Sequence, residues 1–554
     1  MRVTRPWDGH VPEWSPSNVG QMPARRAASG RGVAAAGATM GGVLPLVPRP
    51  TSVRATDAAP FVVGPGTVVR APAAARDAAA VVAAALGEAA GRPVPVVPDG
   101  GAPGTERECD PGCGDGATVG DAPVAEPGTR EGGVVLALEE ARPGEGPDEG
   151  REAYTLVAGA GGVRLVASTV DGLHRAAATL RQLVENDPDG ATVPAVQIED
   201  APRYGWRGLS VDVARHFLPV ADLEVLVDLV ADYKLNVLHV HLTDDQGWRL
   251  DLPSRPELAA RSSAGGVDGD PGGAYAAADW ARLVAHARGR GVTVVPEIDV
   301  PGHVNAALHA VPALNPGAVA PAPYEGVEVG FSSLRSELPG TAPFLADVFR
   351  DVAAMTSGTY LHLGGDEAYH TPPDEYVRLV GAAIDAVRAT GRTVVGWQEI
   401  AAAPLPPGTV VQLWDVRANP APVVAAARAG ARVLLSPADR VYLDMAYEPG
   451  HPLGQDWAGC IELRDAYEWD PDRVVPGLDP AAVVGVEAAI WTETLRTRDE
   501  VTSMLLPRLA AVAEVAWSAS RDWDSFRERV APHAAAWDRA GLAWHPSPQV
   551  SWRR

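Results

Sequence analysis

Residues 360–370 read YLHLGGDEAYH, an apolar run that gives way to two glycines and then to two adjacent acids, Asp366 and Glu367. Neighbouring residues of a strand point to opposite faces, so both carboxylates can address one pocket only where the strand ends or bulges. Gly364 and Gly365 supply the backbone freedom for that. The run is one of eight with the same form. RGLSVDVAR, NVLHVHLTDD, VTVVPEIDVPGH, TVVGWQEI, TVVQLWD, ARVLLSP and VVGVEAAIWTE also end in polar or acidic residues, and most lead into helical patterns such as VADLEVLVDLVADYK, AADWARLVAHARGRG and PDEYVRLVGAAIDAVRATG. Strands apolar on both faces and alternating with helices build a parallel α/β sheet, and eight such units predict a closed (β/α)8 TIM barrel.

A barrel of this kind carries its chemistry at the carboxyl ends of its strands. Here those ends hold Asp244, Asp245, Asp299, His303, Asp366, Glu367, Trp397, Trp414, Trp491 and Glu493. Acids and tryptophans on one rim predict a sugar pocket, because indole rings stack on the apolar faces of sugars while carboxylates accept their hydroxyls. An ordinary glycosidase sets its two carboxyl groups about 5–10 Å apart across the scissile bond. Adjacent residues start from Cα atoms only about 3.8 Å apart. Two resolutions follow. A second carboxylate comes from another strand, with Glu297, Asp244 and Glu493 as candidates, or the substrate supplies its own nucleophile and the neighbouring acid orients it.

Upstream of the barrel, residues 43–200 read as a smaller α+β unit. FVVGPGTVVRA suggests strands around a turn, ARDAAAVVAAALGEAAG a helix ended by Gly91, and the stretch from EAYTLVAGAGGVRLVA into STVDGLHRAAATLRQLVEN a hairpin followed by an amphipathic helix. The Gly-, Asp- and Pro-rich residues 100–130 form an insert of low apolar content, predicted to be a mobile loop; its Cys109 and Cys113 lack a matching second half for a zinc site. Residues 1–42 read as a disordered leader or a start-site artefact. They contain no continuous apolar stretch of signal-peptide length, which predicts a cytoplasmic protein, with an unusual export signal as the alternative.

The chain has 554 residues, a formal net charge of -23 and a single lysine, Lys234, which argues against nucleic acid as a partner. Charges, Gly or Pro interrupt every hydrophobic run, so no membrane association is expected. Three cysteines imply no disulfide framework.

In order along the chain, WRGLSVDVARHFLP, KLNVLHVHLTDDQGWRL, VVPEIDVPGHVNAAL, YLHLGGDEA, VVGWQEI, YLDMAY and GVEAAIWTETL resemble the motifs of the β-N-acetylhexosaminidases of glycoside hydrolase family 20. The resemblance runs from about residue 43 to 540 and implies a non-catalytic domain over 43–200 and a catalytic barrel over 201–545. It implies exo-acting hydrolysis of terminal N-acetylglucosamine or N-acetylgalactosamine from an oligosaccharide or glycoconjugate. In that chemistry the 2-acetamido oxygen of the substrate attacks its own anomeric carbon, giving an oxazolinium intermediate that water opens with retention. By this resemblance Glu367 is the general acid and then base, Asp366 holds the acetamido N–H, and Tyr442 donates to the acetamido oxygen. Trp397, Trp414 and Trp491 wall the acetamide pocket, and Trp457 flanks the leaving group. Arg207, Asp444 and Glu493 grip sugar hydroxyls, and His303 with Asp244 supports the acid/base. Neither metal nor cofactor is implied. Gln398, Ala446 and Cys460 stand in or beside these motifs without an assigned role, and the sequence does not specify the oligomeric state.

The rival reading is a metal-dependent hydrolase. His239 and His241 lie at alternate positions of one strand and share a face, with His303, His362 and several acids on later strands.

Overall fold

The computed structural model of the protein describes residues 43–99, 132–140, 151–187 and 190–553. The calls on the leader 1–42, on the insert 100–130 and on Cys109 and Cys113 lie outside these residues.

Eight parallel strands close into a barrel in chain order: Trp206–Asp212, Val237–His241, Thr293–Glu297, Tyr360–His362, Thr393–Trp397, Val410–Leu413, Arg432–Leu435 and Val483–Ile490. Each coincides with one of the eight apolar runs. The ring closes where the last strand pairs with the first, Trp206 opposite Gly485 and Val211 opposite Ile490. Helices Val220–Asp232, Ala277–Gly289, Thr341–Met355, Pro373–Ala389 and Ala421–Arg428 return the chain along the outside. Their inward stripes, such as Leu223, Leu226, Val227 and Val230, pack on outward strand residues such as Leu209, Val211, Leu238 and Val240. The apolar stretch after the last strand forms two helices, Arg498–Leu505 and Arg508–Trp517, because Pro507 between them has no N–H to continue the ladder. After the fifth strand only a 3-10 turn, Gln398–Ala402, stands in place of a helix.

The preceding unit is a seven-stranded mixed sheet with its own core, lying against helices Arg76–Ala90 and Val170–Leu183. Gly91 ends the first of these helices in a left-handed conformation, φ 61°. Tyr154–Gly159 and Gly162–Ala167 form the expected hairpin. The strands of FVVGPGTVVRA do not pair with each other. Phe61–Val62 joins a small three-stranded sheet, and Val69–Ala71 lies in the large one. No helix among the described residues is long and apolar enough to cross a membrane.

Candidate active site

The fourth barrel strand ends at His362, and the chain then turns through Gly364 and Gly365 with φ of 73° and 110°, while Glu367 itself has φ of 46°. A Cβ on Gly364 would overlap the Asp299 carboxylate, to which the Gly365 N–H donates at 3.0 Å. This turn abolishes the alternation of the strand. Both acids therefore reach one imidazole: His303 Nε2 lies 3.7 Å from Asp366 Oδ2 and 3.8 Å from Glu367 Oε2. The Tyr369 hydroxyl donates to Glu367 Oε1 at 3.2 Å.

On its far side His303 Nδ1 stands 3.2 Å from Asp244, whose Oδ2 pairs with Arg215 Nη2 at 2.8 Å and with His241 Nε2 at 3.0 Å. Burial opposes charge on His303, but Asp244 and Asp366 raise its proton affinity well above the ordinary histidine value. The imidazole is thus held as a cation beneath the two acids. Burial, together with the charge of Glu367, pushes the Asp366 carboxyl up, against the pull of His303.

The aromatic residues expected around the pocket form one contiguous wall. Trp414 stacks on Tyr442 with centroids 6.4 Å apart and planes 15° apart; Trp457 meets both edge-on at 6.0 Å, and Trp491 lies 6.0 Å from Tyr442 and 5.8 Å from Trp397. Trp397 is completely buried, and its Nε1 donates to Glu297 at 2.8 Å. Burial and the acids Asp366 and Asp444 hold the Tyr442 hydroxyl well above the usual phenol range, so it remains a donor.

Asp444 is 0% exposed, yet neither of its carboxylate oxygens has a well-aligned donor, and Glu493 Oε2 and Asp366 Oδ1 share that condition. Burial and the nearby charge of Glu493 push the Asp444 carboxyl well above its ordinary range. Buried acceptors without donors are rare in native structures, and a row of them in a pocket is what a polyhydroxylated ligand would complete.

Arg207 is not in this pocket. It is the second residue of the first strand, at the opposite end of the barrel, about 17 Å below Asp212 at strand rise, and is 0% exposed. Its guanidinium pairs with Glu152 at 2.7 Å and donates to the carbonyls of Lys234 and Tyr204. The arginine that does reach the pocket is Arg215, in the same sequence motif but beyond the end of the strand. It pairs with Asp244 and lies over the Trp491 ring at 5.2 Å, and the charges of Asp244, Asp212 and Glu493 outweigh burial to raise its affinity for its proton further. The signal was present in the chain, since only a residue following a barrel strand can stand on the carboxyl-terminal rim.

His239 and His241, on which the rival reading centres, lie within the second barrel strand. His239 sits between Glu297 and Glu487 at 3.0 and 2.9 Å, and His241 between Glu297 and Asp244 at 2.8 and 3.0 Å. Although burial works against it, these carboxylates raise His239 to about 9 and His241 well above its ordinary value. Both ring nitrogens of each are engaged by acids.

The model of the glycosyl hydrolase family 20 catalytic domain matches residues 204–376 and 374–520, and that of the family's domain 2 matches residues 43–201. The chain belongs to glycosyl hydrolase family 20. A β-N-acetylhexosaminidase of Cellulomonas fimi is 53% identical over 513 residues, covering 92% of this chain and 97% of that protein. The solved structure of the Streptomyces plicatus N-acetyl-β-hexosaminidase in complex with Thio-NAglucal is 40% identical with a TM-score of 0.83, over 92% of this chain and 98% of that one. The exo β-N-acetylglucosaminidase of Vibrio harveyi, in complex with N-acetylglucosamine, is 27% identical with a TM-score of 0.75, over 92% and 79%. As a member of the family the chain is a glycoside hydrolase of the β-N-acetylhexosaminidase class.

Proposed function

We propose that the protein removes terminal non-reducing N-acetylglucosamine or N-acetylgalactosamine by exo-acting, retaining, substrate-assisted hydrolysis. The observation that carries this is the convergence of Asp366 and Glu367 on His303, while two of the carboxylates that could otherwise serve as nucleophile are committed to other partners. Of the alternative nucleophiles, Glu297 is fully buried and bound by Trp397, His241, His239 and His362 at 2.8 to 3.1 Å, while Asp244 is held by Arg215, His241 and His303. Glu493 and Asp444 have open oxygens, and their role is to accept hydroxyls of the terminal sugar, beside Arg215. A sugar whose hydroxyls are gripped in this way is the terminal one, which is what exo action requires.

Glu367 protonates the departing glycosidic oxygen as the acetamido oxygen of the substrate attacks the anomeric carbon. The C1–O bond to the leaving group breaks, and an oxazolinium ring forms. Tyr442 donates to the acetamido oxygen and holds it at attack distance. Asp366 accepts the acetamido N–H. Its carboxylate, costly in the empty site because of burial and Glu367, is stabilised most when positive charge appears on that nitrogen. Water then adds to C1, giving its proton to Glu367, and the ring opens with net retention. His303, held by Asp244, balances the two acids through both steps.

A stable thiazoline mimic of the oxazolinium ring tests this reading. It is expected to bind at least about a hundredfold more tightly than N-acetylglucosamine, as transition-state mimics do, and plain glucosides are expected to be nearly inert. Equal hydrolysis of a glucoside and its acetamido counterpart, or a trapped glycosyl ester on Glu297, Asp244 or Glu493, would refute it.

A further inference from the structure

The pair after Trp397, Gln398 and Glu399, closes on the wall of the pocket. Gln398 Oε1 accepts from the backbone N–H groups of Trp414 and Asp415, both at 3.0 Å. The Trp414 indole N–H lies 3.1 and 3.3 Å from the two carboxylate oxygens of Glu399. The 3-10 turn at the end of the fifth strand therefore grips the residue that follows the sixth strand by its backbone and by its ring. That ring in turn stacks on Tyr442, which follows the seventh strand, and meets Trp457 edge-on.

An acid at this position is a costly choice. Burial and the charge of Asp366 push the Glu399 carboxyl up to about 8, against the pull of the indole N–H. A glutamine would accept the same hydrogen bond, and an apolar residue would leave the indole N–H without a partner in a pocket wall. Without that anchor Trp414 keeps its packing on Tyr442 and Trp457 but loses what fixes its rotation about the side-chain axis, since stacking energies vary little with in-plane orientation.

We propose that Glu399 is a positioning residue of the acyl pocket, fixing the indole of Trp414 against Tyr442 and thereby limiting the size of the 2-acylamido group that the substrate can carry. The inference rests on the substrate-assisted reading above, in which Trp414 and Tyr442 enclose the acyl group. A rigid apolar wall discriminates one added methylene by about 10- to 200-fold, whereas a wall free to swing does so weakly.

The test uses 4-nitrophenyl glucosaminides carrying N-acetyl, N-propionyl and N-butyryl groups on the full chain. The wild type is expected to prefer acetyl over butyryl steeply in kcat/KM. In Glu399→Leu that ratio is expected to fall by about tenfold or more, which is about 1.4 kcal/mol of lost discrimination. Glu399→Gln retains an acceptor for the indole and is expected to keep the ratio. Gln398→Ala, which loosens only the backbone grip, is expected to lower it by a smaller factor; this variant and Glu399→Gln carry the comparison if Glu399→Leu does not fold by circular dichroism. An unaltered ratio in both Glu399→Leu and Gln398→Ala, or equal losses on all three substrates in Glu399→Leu and Glu399→Gln alike, would overturn the proposal. A wild type that hydrolyses plain glucosides as readily would instead strike the parent reading, because the acyl ratios are measured independently of it.

Discussion

The two ends of the barrel hold the same kinds of charged residue in opposite states. At the amino-terminal end the buried charges are paired with one another: Glu152 pairs with Arg207 and Arg175 at 2.7 Å each, and Lys234 pairs with Asp200 at 2.8 Å while lying over the Trp517 ring. At the carboxyl-terminal end Asp444, Glu493 and Asp366 present oxygens without well-aligned donors, and Asp299 Oδ2 does the same. Full pairing serves cohesion between the barrel and the preceding sheet. Incomplete pairing marks the end that awaits a ligand.

The largest effect expected from this contrast is on the acid. Glu367→Gln should lower kcat/KM for substrates with poor leaving groups by about 10³-fold or more, and less for activated aryl glycosides, which need little protonation. Equal losses across a leaving-group series would remove Glu367 from the acid role. Next comes Asp366→Asn, where loss of the charge facing the acetamide nitrogen should reduce kcat by about 10²- to 10³-fold with a neutral amide of the same shape. Rates on an aryl N-acetylglucosaminide measure this directly.

A third experiment exchanges the two arginines. Arg207→Met breaks a buried pair and should cost about 3–5 kcal/mol of stability, visible in thermal melts, while kcat/KM of the folded fraction stays near wild type. Arg215→Met should instead raise KM strongly for the terminal sugar. If Arg207→Met impairs turnover without lowering the melting temperature, the division between the ends is wrong.

The pH dependence of stability should separate the ends as well. Despite burial, Arg207 and Arg175 hold the Glu152 carboxyl down from an ordinary 4.5 to about 2. Its contribution is therefore full above 4.5 and is lost as pH falls through about 2, so Glu152→Gln should lower the melting temperature at neutral pH and matter little in strong acid. Asp444 has the opposite sign. Its folded value is raised by burial and Glu493 above an ordinary 3.8, so ionisation opposes folding at neutral pH, and Asp444→Asn should raise the melting temperature there, with no gain below about 3.8. Melts of both variants from acid to neutral pH check the two signs together.

The smallest effect is expected at Tyr369, which is 66% exposed although its hydroxyl reaches Glu367. Tyr369→Phe should change kcat/KM by only about threefold, the scale of a single solvent-accessible hydrogen bond.

Much of this was readable along the chain. All eight strands follow from apolar runs that alternate with helical patterns, and the turn at Gly364 and Gly365 follows from two glycines in front of two acids. The aromatic wall was also legible, because Trp397, Trp414 and Trp491 each close or follow a strand. The reading failed at Arg207, where a motif containing two arginines was matched at the wrong one. It was silent on Glu399, since nothing in WQEI says that the carboxylate meets an indole from the next strand.

The sequence by itself determined the barrel, its order and the identity of the acids on its rim, because periodicity and strand ends are local properties of the chain. The tertiary structure alone decided which charges are paired and which are left open. Glu152 finds Arg207 across 55 positions, His303 finds Asp244 across 59, and His239 finds Glu487 across 248. Such partners are chosen by closure of the ring and by docking of the preceding sheet, and in a buried site the choice of partner fixes whether a group is a brace or a reagent.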